Sequence, residues 1–129
     1  MNTDSILYKD LSDEIIYWFY EVYNTLGYGF LEKVYKNALY LDLTNAGLLC
    51  ETEKQIDVYY KDKRVGVYYA DIVVENKIIL ELKTSESICK EHEYQLSNYL
   101  RATDYEVGYV LNFGKKPEFK RILFTNDRK

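Results

Sequence analysis

The hydrophobic positions change period along the chain, and that change divides it into elements. Ile15, Ile16, Phe19, Val22, Tyr23 and Leu26 recur at spacings of three and four, which predicts an amphipathic helix. Ser12 stands where an N-cap belongs, Asp13 and Glu14 suit a first turn, and Gly27-Tyr28-Gly29 stops the helix. A second helix follows, with Leu31, Val34, Ala38 and Leu41 as its expected buried stripe and Asn45-Ala46-Gly47 as its end. Past Gly47 the period falls to two. Gln55–Tyr60, Val65–Val74 and Ile78–Lys83 predict strands, separated by Lys61-Asp62-Lys63-Arg64 and by the tight Glu75-Asn76-Lys77 connection. Glu91–Thr103 predicts a third helix, with Leu96, Tyr99, Leu100 and Thr103 inward; Val107–Phe113 and Phe119–Phe124 predict two more strands. The order α-α-β-β-β-α-β-β implies an α/β (α+β) fold in which helices flank a mixed central sheet.

Length and composition narrow the class. A chain of 129 residues suits one domain, expected over 11–125 between an N-terminal extension (1–10) and a short tail (126–129). With 47% apolar and 29% charged residues, wholesale disorder is excluded. No run of about 18 apolar residues is present to span a membrane. The first ten residues carry Asp4, Lys9 and Asp10 without an apolar core, so they do not read as a secretory signal. Cys50 and Cys89 alone can hold neither an iron–sulfur cluster nor a four-cysteine zinc site, and the expected setting is the cytoplasm with reduced thiols.

Charge is informative mainly through its distribution. A net charge of -4 argues against gripping nucleic acid by bulk charge. The C-terminal stretch is different: Lys115, Lys116, Lys120, Arg121, Arg128 and Lys129 stand against only Glu118 and Asp127. That basic strand is either a solvated edge or a face for phosphates. The 15 tyrosines fit amphipathic positions at the core edge, with base stacking by one or two of them as the alternative.

The chemistry begins at Asp71. It interrupts Val65–Val74, whose two alternating faces are both largely apolar, so the strand is expected to be buried on both sides. The next strand holds Glu81 and Lys83 two residues apart, hence on one face. If Val74 pairs with Ile78, Asp71 falls opposite Glu81, at about 5 Å between Cβ atoms. Two carboxylates at that distance repel. A hard divalent cation resolves the repulsion, and so does neutralisation by Lys83 in an ion network; the spacing alone leaves both open. On the third helix His92, Gln95 and Tyr99 share one flank, and on the second Glu32 and Tyr35 do. Ordinary polar flanks and a helix-dipole role for Glu32 are the plainer readings of these residues.

Five motifs lie in register with a known pattern. Gly29-Phe30-Leu31-Glu32-Lys33-Val34-Tyr35 reads G-x-x-E-x-x-Y. It is followed by Ala70-Asp71, Glu81-Leu82-Lys83, Gln95-Leu96-Ser97-Asn98-Tyr99 and Gly108–Gly114. Over roughly residues 11–124 the chain resembles the GxxExxY proteins of the PD-(D/E)XK nuclease superfamily. The resemblance implies a restriction-endonuclease-like α-β-β-β-α-β core and a Mg²⁺-dependent site, Mn²⁺ being the alternative ion. It implies Glu32, Asp71, Glu81 and the Leu82 carbonyl as metal ligands and Lys83 as the catalytic lysine. Gln95 and Tyr99 match the Q-x-x-x-Y flank of RecB-like nucleases, where it helps hold substrate, and Tyr35 and His92 are taken with them as substrate contacts. Ala70 replaces the proline of the superfamily's name, and the iron–sulfur cysteines of some relatives are absent.

The expected function is metal-dependent phosphodiester hydrolysis in DNA, with RNA as second choice and no membrane partner. Its rivals are a catalytically inactive nuclease-fold module that binds nucleic acid or a protein partner, and a dimerisation domain with a buried ion network. An acidic body of this size offers little surface for gripping a duplex, which a symmetric homodimer would double.

Overall fold

Two antiparallel ladders on one side, a parallel crossover in the middle and a final hairpin build the sheet. The computed structural model describes residues 7–129; the start of the expected N-terminal extension lies outside the described residues. Strands β1 (Cys50–Tyr60), β2 (Lys63–Val74), β3 (Ile78–Lys83), β4 (Val107–Phe113) and β5 (Pro117–Leu123) lie side by side in chain order. Only β3 and β4 are parallel, joined through a helix, so the sheet is mixed.

Helices α1 (Lys9–Leu26) and α2 (Glu32–Asn45) cover one face, packing Ile15, Phe19, Tyr35, Leu39 and Leu43 onto Ile72, Val74, Ile78, Leu80 and Leu82. Helix α3 (Lys90–Arg101) covers the other with Leu96 and Leu100 on Val73, Ile79 and Val110. The expected α/β layering and the order of elements are therefore as the period changes implied.

Three local expectations are corrected. The first helix begins at Lys9, with Tyr8 as its N-cap, so Ser12 caps nothing; it is buried and its Oγ has no hydrogen-bond partner. Leu7, Tyr8 and Leu11 pack against the core, and that burial extends the helix past its polar start signal. In α2 the buried stripe is Tyr35, Leu39 and Leu43, while Leu31 and Leu41 are exposed and Val34 is only partly covered. Apolar residues surround this helix, so periodicity could not choose the face; Tyr35 stacking on Phe113 at 4.4 Å does. In β2 only the stretch after Tyr69 is buried. The β2–β3 ladder ends at Ile72↔Leu80, and the outer β1–β2 hairpin projects beyond the rest of the sheet.

Helix α3 approaches the sheet closely because Gly108 has no side chain. A Cβ there would sit 2.8 Å from Leu96 Cδ1, and Leu96 is fully enclosed. Gly108→Ala is expected to destabilise the protein by about 1–3 kcal/mol through overpacking. Urea unfolding checks this, and an unchanged midpoint would refute the close approach.

Candidate functional site

The site starts with a turn. Glu75 and Asn76 have φ of 53° and 52°, the Lys77 N–H donates to the Val74 carbonyl at 2.9 Å, and the strands leave paired as Val74↔Ile78, Val73↔Ile79 and Ile72↔Leu80. One step further along this register sets Asp71 opposite Glu81. In β3, Ile78, Leu80 and Leu82 face α1 and α2, so Ile79, Glu81 and Lys83 face α3. In β2, Ala70 packs on the α3 side but Ile72 on the other. Period two would place both on one face, so the alternation slips at Asp71, opposite Glu53 with its φ of 53°.

Glu81 is buried and its Oε1 has no hydrogen-bond partner. Burial, then the neighbouring Asp71 carboxylate, push its pKa up from 4.5 to about 9. Asp71 is close enough to accept a hydrogen bond from the protonated Glu81. Its Oδ2 also accepts one from the Leu82 N–H at 2.8 Å, which fixes the carboxylate against β3. Glu32 comes in from the first turn of α2. Its carboxyl is also raised, by desolvation first and by Asp71 second, against the opposing pull of Lys83 and Lys36. The Lys83 ammonium donates to Gln95 Oε1 at 3.2 Å, tying β3 to α3. Tyr99, one turn on, is held at a pKa of about 12 by burial and then by Glu81. Both members of the Q-x-x-x-Y pair thus lie against the cluster, with Leu96 and Leu100 buried beneath the sheet.

Of two further expected substrate contacts, Tyr35 is placed otherwise and His92 has one ring nitrogen engaged in the fold. Tyr35 is fully enclosed; its hydroxyl donates to the Gly27 carbonyl at 2.7 Å and accepts from the Phe30 N–H at 3.2 Å. A ring with no exposed surface cannot touch a substrate, so Tyr35 shapes the loop that delivers Glu32. His92 spends Nδ1 on the Cys89 N–H at the N-terminus of α3, at 3.2 Å. Desolvation, with Lys83 adding to it, lowers its pKa, so the ring lies near the cluster while serving as a helix cap.

Sequence reasoning missed Lys36, Glu53 and Tyr68. Lys36 pairs with Glu53 and feels both Asp71 and Glu32. Its spacing of four from Glu32 was the available signal. Glu53 and Tyr68 carried none, because only the β1–β2 pairing brings them to this end of the sheet.

A divalent cation, which the carboxylates invite, fits this donor set in one respect and not in another. Among the described residues no three His, Cys, Asp or Glu side chains form a metal-holding group. Yet Glu81 Oε1 is a buried oxygen with no donor, next to a second carboxylate, and a hard cation that keeps several waters needs only one or two carboxylates. The residues present therefore fit a partly hydrated ion.

Without a cation, Glu81 is a liability to the fold. Its carboxyl ionises near 4.5 when unfolded and near 9 when folded. Between those values the native state holds the extra proton, so stability falls as pH rises. Glu81→Gln, which mimics the protonated acid, is expected to raise the melting temperature in EDTA by several degrees at pH 8 and by much less at pH 5. Equal shifts at the two pH values would show that Glu81 is not a desolvated acid.

Comparisons with known proteins bear on the fold and the family. No curated protein matches the chain. A solved structure titled SSO0001 superposes with a TM-score of 0.56 at 23% identity, over 94% of this chain. The chain spans 62% of that structure's length, and the likeness is one of fold. The family model of the PD-(D/E)XK nuclease superfamily matches residues 9–122, which includes each strand and helix that carries the cluster, and the chain belongs to that superfamily.

Proposed function

We propose that the cluster is a metal-dependent phosphodiesterase site that hydrolyses DNA, with Mg²⁺ as its working ion, in a cytoplasmic protein of the GxxExxY type. The observation that carries it is Glu81: a buried carboxylate with an orphaned oxygen, paired with Asp71 and followed two residues on by a lysine. A buried carboxylate oxygen without a donor is costlier than a neutral hydroxyl left so, as Ser12 Oγ is, and it calls for a cation or a proton. Superfamily membership supports nuclease chemistry, and RNA is the second candidate substrate.

Glu81, Asp71 and the Leu82 carbonyl would hold the ion, with Glu32 binding directly or through water. When bound, the ion polarises the scissile phosphate and makes a water more acidic. The chain's own groups do the rest. The Leu82 N–H keeps Asp71 in place. Lys83, oriented by Gln95, presents its ammonium where negative charge builds on the phosphate or where the attacking water must be aligned. Tyr99 keeps its proton at neutral pH, so its hydroxyl can donate a hydrogen bond to a phosphate oxygen.

Lys83→Ala is expected to lower divalent-dependent DNA cleavage by roughly 10²-fold or more while leaving cation-induced thermal stabilisation nearly intact. Asp71→Asn and Glu81→Gln are expected to lose activity and cation-induced stabilisation together, with Glu32→Ala intermediate. Single-stranded, duplex and flapped DNA with Mg²⁺ and with Mn²⁺ make the test. If the wild-type protein cuts none of them, or Lys83→Ala cuts equally well, the site is not catalytic and the chain is a binding module.

A further inference from the structure

A groove of about 740 Å³ lies beside the carboxylate cluster, between the projecting β1–β2 hairpin and α3. Four tyrosines stand in its walls: Tyr59 and Tyr68 from the hairpin, Tyr94 and Tyr99 from the helix. Tyr59, Tyr68 and Tyr94 are 63%, 46% and 61% exposed, a large open aromatic surface for a chain of this size.

Several details show the groove to be built. Val58 and Tyr59 are consecutive, and on a regular strand they would point to opposite faces, yet both line it. The β1–β2 register shifts here: Val58 pairs with Gly66 and Tyr59 with Arg64, so Val65 of β2 is the extra residue of a bulge that increases the local twist of the hairpin. Gly66, paired with Val58, adds no side chain on the facing strand. At its inner end the groove joins the cluster: the Tyr68 and Tyr99 rings lie 5.1 Å apart, and Gln95, which also lines the groove, holds Lys83.

We infer that this groove takes an unpaired polynucleotide strand, its bases stacked on Tyr59, Tyr68 and Tyr94 and its backbone led to the carboxylates. The inference rests on the phosphodiesterase site proposed above and names the form of its substrate. Flat rings that keep a polar edge suit nucleobases, which every sequence offers. Asn98 and Arg101 supply hydrogen bonds and a positive charge along the same wall, against the one acidic lining residue, Glu91. A chain with a net charge of -4 cannot obtain its affinity from phosphates alone, as a duplex grip requires. Stacking needs no net positive charge, but it does need bases that are not already paired.

The test is fluorescence anisotropy of the full chain in EDTA, where nothing is cut. The probes are a labelled 12-nucleotide oligo-dT, an abasic strand of equal length and charge, and a duplex. The oligo-dT is expected to bind at least tenfold tighter than either of the others. Tyr59→Ala and Tyr94→Ala should each weaken it roughly tenfold, Tyr94→Phe should restore it, and Tyr17→Ala on α1 should leave it unchanged. Both alanine variants remove exposed rings, so either one suffices if the other fails to fold. Equal binding of the abasic strand or the duplex would overturn the inference. So would groove variants that change the sedimentation-derived oligomeric state while leaving oligo-dT binding intact, since the occupant would then be a second copy. Strand binding without cleavage in Mg²⁺ would sink the nuclease proposal and keep the groove. Cleavage of duplex and single strands alike, undiminished in Tyr59→Ala and Tyr94→Ala, would do the reverse.

Discussion

One buried carboxylate constrains most of what surrounds it. Glu81 lies in a strand with neighbours on both sides, and Asp71 stands across from it one step past the last β2–β3 pair, over a three-residue connection. The left-handed φ values of Glu75 and Asn76 close that connection, so neither carboxylate can drift along the ladder to escape the other. The repulsion is relieved locally, by a proton on Glu81 and by the Leu82 N–H on Asp71. A fold selected only for stability would place leucine or glutamine at position 81. An acid there costs stability, which accords with the proposed site, where stability is given up for function.

The remaining architecture serves to bring other groups to this point. Gly108 lets α3 settle close enough for Gln95 to reach Lys83 and for Tyr99 to feel Glu81. The loop leading into α3 is pinned by Asn112, whose side-chain amide exchanges two hydrogen bonds of 2.9 Å with the Ser85 backbone. Gly114 leaves room for that pin, since a Cβ there would meet the Ser85 carbonyl at 2.3 Å. On the opposite face, Tyr35 stacks on Phe113 and holds both ends of the Gly27–Phe30 loop, which fixes where α2 begins and so where Glu32 emerges. The helices thus act on the site through packing more than through their own charge.

What could be foreseen divides by the range of the interaction. Asp71, Glu81 and Lys83 were visible because each is a charged residue in an apolar strand, and because a tight turn between two strands dictates their register. The order of elements followed from the shift of period at Gly47. Local signals failed where long-range packing overrode them. Ser12 looks like a cap but is buried, because Leu7, Tyr8 and Leu11 find contacts on the core that no window around them contains. Val34 and Leu41 look inward, but Tyr35 has the better partner in Phe113, almost eighty positions away in the chain. Tyr35 itself, read as a substrate contact, is enclosed for the same reason.

The groove shows the limit most plainly. By itself the sequence determined the carboxylate pair, the adjacent lysine and the mixed sheet that carries them, because pattern and turn length act between near neighbours. Only the tertiary structure decided that Tyr59, Tyr68 and Tyr94 line one groove, that Lys36 and Glu53 pair beside Glu32, and that His92 caps a helix. Those meetings depend on a bulge in β2, on how far the hairpin projects and on how closely α3 approaches the sheet, and none of these can be read from a short window of the sequence.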